Sequence, residues 1–271
     1  MQRRRVGATK ETQCRVIDRP SACLVNTNAD DLWCWGSSMN KTIAATLSAL
    51  LFISALDLYA YDCLATTGAV SVAIPTPASL FTEVGSAKRD SFEYMVPSRN
   101  RLLCAFVPTD YLPHLKNPAT GMDRYMVIQV SRRLEEKNTD ITTANFEQIV
   151  ASTKQTIGDT SQLDSTLQAS TQEVVNRLKA MQNSKDVSFE KPIPLGTILQ
   201  TTDAYGFLMV QPLSSGETIT RVLGATVLIR VRNRLIFAYL YGPDDEDSLK
   251  WIQVTAEEWC HKILAANKPG N

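Results

Sequence analysis

The sequence predicts an α+β protein: a mostly antiparallel sheet covered by helices, with a helical pair inserted mid-chain and a C-terminal amphipathic helix. Three observations predict it. Runs with a two-residue period, broken by short turn signals, occur before residue 131 and again after residue 196. Short turns join antiparallel neighbours. Between the two blocks, residues 139–184 hold no Pro and a single Gly, and their apolar residues recur every three or four positions. The third observation is an apolar stripe at helical spacing near the end of the chain. Strands grouped before and after a helical block, without strict alternation, indicate α+β layering.

Ahead of the sheet lies a segment of another kind. In residues 39–60 Met39 and one basic residue, Lys41, precede an apolar run, and the small residues Ser54, Ala55 and Ala60 follow it. That order is the layout of a secretory signal peptide, and the run is shorter than the ~20 residues that span a bilayer. The expectation is removal after Ala60, with Ala55 and Ala65 as alternative ends, and a periplasmic or secreted product. Residues 1–38, which include Arg3, Arg4 and Arg5, are expected to be an unstructured extension. They read either as sequence upstream of a start at Met39 or as the cytosolic tail of an uncleaved anchor. Residues 61–271 are expected to form one α+β domain.

Taken in order, residues 69–74 alternate with period two and stop at Pro75 and Pro77, which predicts a strand and a turn. Residues 92–96 and 101–107 are apolar runs around Pro97-Ser98-Arg99-Asn100, read as a hairpin. Residues 112–121, with Pro113, Pro118 and Gly121, read as a loop. A strand over 124–130 sets Tyr125, Val127 and Gln129 opposite Met126, Ile128 and Val130. The helical block follows, with Thr142 or Thr143 as cap and Phe146, Ile149, Val150 and Ile157 on one side. Gly158 and Asp159 mark a break. A second helix then carries Leu163, Leu167, Val174, Val175, Leu178 and Met181.

Strands return over 197–201 and 205–210. The strongest strand signal is the pair 219–231 and 235–241 around Arg232-Asn233-Arg234, a tight turn. Leu223, Ala225, Val227, Ile229 and Val231 mark one face of its first strand. After Gly242-Pro243 comes the closing helix, whose buried stripe is Leu249, Ile252, Ala256, Trp259, Cys260, Ile263 and Leu264. Residues 244–247 supply its cap and negative charge at its positive end.

With the seven basic and five acidic residues of the first sixty set aside, 21 Lys or Arg face 23 Asp or Glu. That balance excludes a general nucleic-acid binder, which concentrates positive charge on one face. No Gly-x-Ser-x-Gly elbow, phosphate-binding loop or HExxH helix is present. The contiguous acids at 244–247 fit helix capping better than a calcium loop, whose ligands are spaced. Cys260 and His261 are adjacent on a helix, so their side chains point about 100° apart and form no nucleophile pair. His114 has no partner in sequence. Arg99, Arg101, Arg124, Arg132 and Arg133 gather around the early strands and could line an anionic pocket. No catalytic, cofactor-binding or metal residue is assigned, and no cofactor is expected.

Cys63, Cys104 and Cys260 follow the proposed signal. Either all three are free thiols or one disulfide forms. If one forms, the reading places Cys63 in it. Cys260 is preferred over Cys104 as partner, since a helix end is easier to reach than a strand interior.

The residues 70–75 (Val-Ser-Val-Ala-Ile-Pro), the strands 226–231 and 235–241 and the helix 249–264 together resemble the Mog1/PsbP-like fold. That fold occurs in bacterial exported proteins, photosystem accessory subunits and a nuclear transport factor. The helical block 139–184 departs from the compact form of that family. The resemblance implies an architecture, and by analogy an accessory or binding role more than an enzyme. The first functional expectation is therefore an exported, non-enzymatic accessory or binding protein of the cell envelope. Its partner would be an envelope protein or a small ligand, with no nucleic acid and no membrane contact beyond the signal segment. The alternative is a secreted or periplasmic hydrolase-like enzyme without a recognisable motif.

Overall fold

The computed structural model describes residues 63–115, 123–159, 172–177, 179–180 and 187–268. The signal-like stretch, residues 1–38, and Leu163, Leu167, Leu178 and Met181 of the predicted second helix lie outside them. The architecture is the expected α+β one.

Ten strands are present among the described residues. β1 (Cys63–Thr67) and β2 (Val70–Ile74) pair as a separate two-stranded hairpin, here called the strap. The main sheet holds β3 (Phe81–Glu83), β4 (Asn100–Pro108), β5 (Tyr125–Ser131), β6 (Val187–Phe189), β7 (Ile193–Gln200), β8 (Ala204–Ser215), β9 (Thr218–Val231) and β10 (Arg234–Pro243). Its order is β3-β4-β5-β10-β9-β8-β6, with β7 also on the outer side of β8. Every recorded pairing is antiparallel. The β9–β10 connection is the anticipated tight turn. Arg232 and Asn233 have φ of 49° and 59°, the type I′ geometry that matches strand twist. The loop is thus two residues long, and Arg234 already belongs to β10.

Helices cover both faces. α1 (Ser86–Glu93), α2 (Arg132–Glu136) and α3 (Thr143–Gly158) lie before the second strand block, and α4 (Glu246–Ala266) closes the fold. Thr142 caps α3 by accepting from Asn145 N at 3.2 Å. Residues 172–177 are helical too, in keeping with the predicted second helix, and bury Val174 and Val175. Glu173 accepts from Ser98 N and Oγ, while Arg177 donates to Val96 O at 2.9 Å, so this helix is fastened to the turn after α1.

The alternation read in β5 is correct. Met126, Ile128 and Val130 join the core beneath α4, with Leu223, Ala225, Val227, Ile229 and Val231 of β9. Val127 faces the opposite side with Phe92, Leu102 and Val107. On that opposite face α3 packs Phe146 and Val150 against Tyr205, Phe207, Leu228 and Leu235.

Three expectations change. The hairpin proposed for 92–96 and 101–107 is a helix followed by a strand. Phe92 and Val96 are both buried and stand four apart, the helical spacing, while backbone bonds Met95 N to Phe92 O and Val96 N to Glu93 O extend the coil beyond α1. In the loop at 112–121, Leu112–His114 form a 3-10 turn, and residues 116–122 lie outside those described.

The third change is the disulfide. Cys63 pairs with Cys104, with Cα atoms 6.3 Å apart, and Cys260 is a buried free thiol. The strap lies with β1 beside β4 and β2 beside α4, so Cys63 faces the strand cysteine. Ease of reaching a helix end was the wrong criterion, because strand placement decides which sulfur is near. Cys104 follows a register slip between Leu102 and Cys104.

Several polar contacts seat the strap. Trp259 Nε1 donates to Pro75 O at 2.8 Å, and Lys262 Nζ to Pro77 O at 3.0 Å. Asn267 makes a two-way bridge with Ala73, accepting its N–H at 2.9 Å and donating to its carbonyl at 2.7 Å. At the other end Arg101 pairs with Glu135 and donates to Thr66 O. The turn residue Gly68 has φ 58°, and a Cβ there would collide with Asn138 Oδ1, so only glycine fits.

Candidate interaction surface

The arginines suspected of lining a pocket do not converge. Arg101 is occupied by Glu135, and Arg132 Nε donates to Ser98 O and Asn100 O. Arg99 and Arg133 are exposed. Arg124 sits at the far end of β5. His114 and His261 are exposed in separate places, while Cys260 is 1% exposed, which agrees with the expected divergence of Cys260 and His261. Burial pushes the Cys260 thiol up to about 12, with help from Asp203 and Glu257, so it stays protonated. Among the described residues, no three His, Cys, Asp or Glu side chains are placed to share a metal.

The aromatic row on the second face is also inert to proton transfer. Tyr125 and Tyr241 stack at 4.7 Å, and Tyr239 continues the row at 6.3 Å. Burial raises Tyr239 to about 12 and holds Tyr125 and Tyr241 above the usual phenol range, so all three remain neutral. A depression of about 500 Å³ beside the start of α3 has one titratable wall residue, Asp140. That carboxylate is bound by Arg234 Nη1 at 2.6 Å, in a clamp where Arg234 also donates to Asn138 O and Oδ1. Arg234 is only 7% exposed, and its partners make it a fastener for the α2–α3 turn.

What does stand out is at the start of α4. Asp245 caps that helix, its carboxylate accepting from Ser248 N at 2.7 Å, which also holds the carboxyl below its usual range. The cap sets the first turn, and one turn on, Trp251 lies against the β3 edge of the sheet. The Phe81 ring stacks on Trp251, centroids 5.7 Å apart and planes within 15°. The Arg124 guanidinium sits 4.9 Å from the Trp251 centroid and donates weakly to Ser248 Oγ at 3.4 Å. The aromatic pair contributes about 1 kcal/mol beyond area burial, and the cation–π contact about 0.5–1 kcal/mol at a partly exposed site. Together they fix the orientation of an indole that is still partly exposed. Leu80, which precedes Phe81 in the chain, is 76% exposed, and Val254, three residues on from Trp251 and so its surface neighbour, 56%.

At the opposite edge Ile193, Leu195 and Ile219 are also exposed. There the strand is blunted. Pro194 lacks an N–H, Gly196 has φ 122°, and register slips fall between Pro194 and Gly196 and between Thr197 and Leu199. Sequence reasoning named none of Leu80, Phe81, Trp251 or Val254. The available signal was a tryptophan standing between the stripe positions Leu249 and Ile252, a large aromatic off the buried line.

No family model matches the chain, and no curated protein matches it either. Two solved structures are similar to it. One is the Saccharomyces cerevisiae Ran-binding protein Mog1p, with 8% identity, a TM-score of 0.25 and coverage of 72% of this chain and 84% of that one. The other is a point mutant of Mog1, with 9% identity, a TM-score of 0.27 and coverage of 73% and 86%. The expected resemblance to Mog1/PsbP-like proteins is met at this weak level, and a likeness so shallow carries no function with it. It does correct the periplasmic or secreted location expected from the sequence. The solved neighbours are Mog1, in one case a Ran-binding protein.

Proposed function

We propose that the chain is a non-enzymatic binding protein that engages a partner protein through the surface formed by Leu80, Phe81, Trp251 and Val254. The observation that carries this reading is the treatment of Trp251. Its ring is held by Phe81 and Arg124 yet left partly open, with exposed apolar side chains at Val254, its helical neighbour, and at Leu80, next to Phe81 in the chain. Tryptophan and arginine are enriched among residues that dominate binding energy, and an anchor already fixed in place loses little entropy on docking. The near-balance of charge favours a protein partner over nucleic acid.

The test is a comparison of variants. Affinity capture with the wild-type chain should retain a partner that Trp251→Ala and Leu80→Ser lose at least tenfold and that Ile193→Lys keeps. Retention by all three variants would remove this surface from the account.

A further inference from the structure

We infer that the segment docking on the Trp251 surface is basic: a polypeptide stretch with a large apolar side chain flanked by Lys or Arg. This inference rests on the reading of that surface as a docking site and adds the chemistry of its occupant. From Asp244 to Lys262 the chain carries six carboxylates and two lysines. One lysine is neutralised by an ion pair, while Lys262 and Arg124 keep their charge on neutral partners. Lys250 pairs with Glu246 at 2.7 Å, Lys262 donates to Pro77 O, and Arg124 lies over Trp251 itself.

The carboxylates nearest the apolar side chains have no cation of their own among the described residues. Asp247 is one turn before Trp251, and Glu257 and Glu258 are three and four residues beyond Val254, the helical spacings of surface neighbours. Asp110 adds another exposed carboxylate two residues past Pro108, the partner of Phe81, next to Thr109, which donates to Leu80 O. The partial positive charge at the start of α4, about half an elementary charge, does not offset four carboxylates. The rim of the apolar anchor therefore carries a net excess of negative charge, four carboxylates against Arg124 and Lys262. Such a rim draws in cationic segments and repels acidic ones, with a range of about 10 Å at 0.1 M salt.

The experiment uses the full chain and two fluorescein-labelled twelve-residue peptides. One has a central Leu-Trp-Leu flanked by lysines, and the other is the same peptide with every lysine replaced by glutamate. Fluorescence anisotropy at 50 mM salt should show the lysine peptide binding at least tenfold tighter than the glutamate one. The preference should shrink at least threefold at 500 mM salt, and Asp247→Lys/Glu258→Lys should abolish it while circular dichroism stays unchanged. Equal affinity for both peptides, or no binding of the lysine peptide, overturns the basic occupant. Lysine-peptide binding that is undiminished in Trp251→Ala overturns the docking surface itself, so the two failures are told apart.

Discussion

Two tryptophans of α4 divide the molecule into two regions with different purposes. Trp259 is 1% exposed, packed edge-on against Phe106 at 5.4 Å, and its N–H is used by Pro75 O. Eight residues earlier, Trp251 has an equally ordered ring but lies at the rim, on an edge strand only three residues long. Eight positions is about 80° around a helix, enough to carry one indole under the strap and the other out of the core. The difference teaches that order and burial are separable. Trp259 is ordered because it fills space, whereas Trp251 is ordered by a ring and a guanidinium that leave it reachable.

The comparison breaks most directly under truncation. Trp259→Ala is expected to lose about 4 kcal/mol of stability, the range for deleting a buried aromatic, and to free the Pro75 carbonyl. Trp251→Ala is expected to lose about 1 kcal/mol. Denaturant titration of both settles it, and equal losses would erase the distinction.

Next in size is the strap. Cys63→Ala/Cys104→Ala opens a link spanning 41 residues and is expected to cost about 3 kcal/mol. Lysine-peptide affinity at the Trp251 surface should stay within twofold of wild type. A drop in affinity as large as the drop in stability would mean that the two regions are one.

A smaller effect belongs to Glu135. Its hydrogen bond from Arg101 holds the carboxyl below its usual range, more than burial raises it. The folded value therefore lies under the unfolded one, near 4.3. The stabilisation is present above the unfolded value and disappears as pH falls through the folded one. About 1 kcal/mol is expected for this partly exposed pair. Comparing urea midpoints at pH 6 and pH 3, Glu135→Gln should lose less than wild type over that interval. The smallest effect is Ile193→Lys on the blunted edge, expected to change stability by less than about 0.5 kcal/mol and peptide binding not at all.

The region around Trp259 was legible in the sequence because periodicity reports burial. Of the stripe as read, Ile252, Ala256, Trp259, Cys260 and Ile263 are buried and its end residues Leu249 and Leu264 half-buried, and the alternating residues of β9 reach the same core. The cap at residues 244–247 was legible for the same local reason. The Trp251 surface was not, since it depends on bringing Phe81 and Arg124, distant in sequence, to one helix turn, and no period encodes that meeting. Cys63 and Cys104 failed on similar grounds. Cys104 was readable as a strand-interior position, but the burial of Cys63 and the lateral placement of β1 beside β4 are properties of the packed sheet. The error at 92–96 was one of period, since Phe92 and Val96 fit a spacing of four as well as one of two.

The Asn267–Ala73 bridge joins residues 194 positions apart. At a synthesis rate of 5–20 residues per second, about 10–40 s separate the appearance of the two. The strap is thus among the first parts of the described chain to be made and among the last to be fastened. Until the carboxamide of Asn267 emerges, Val72 and Ile74, both fully buried in the finished fold, have no helix to lie against. A nascent chain halted before residue 252 should therefore bind a holdase chaperone through residues 70–74, and one extended past 267 should release it. The C-terminal helix acts as a timing element for folding as well as a wall of the core.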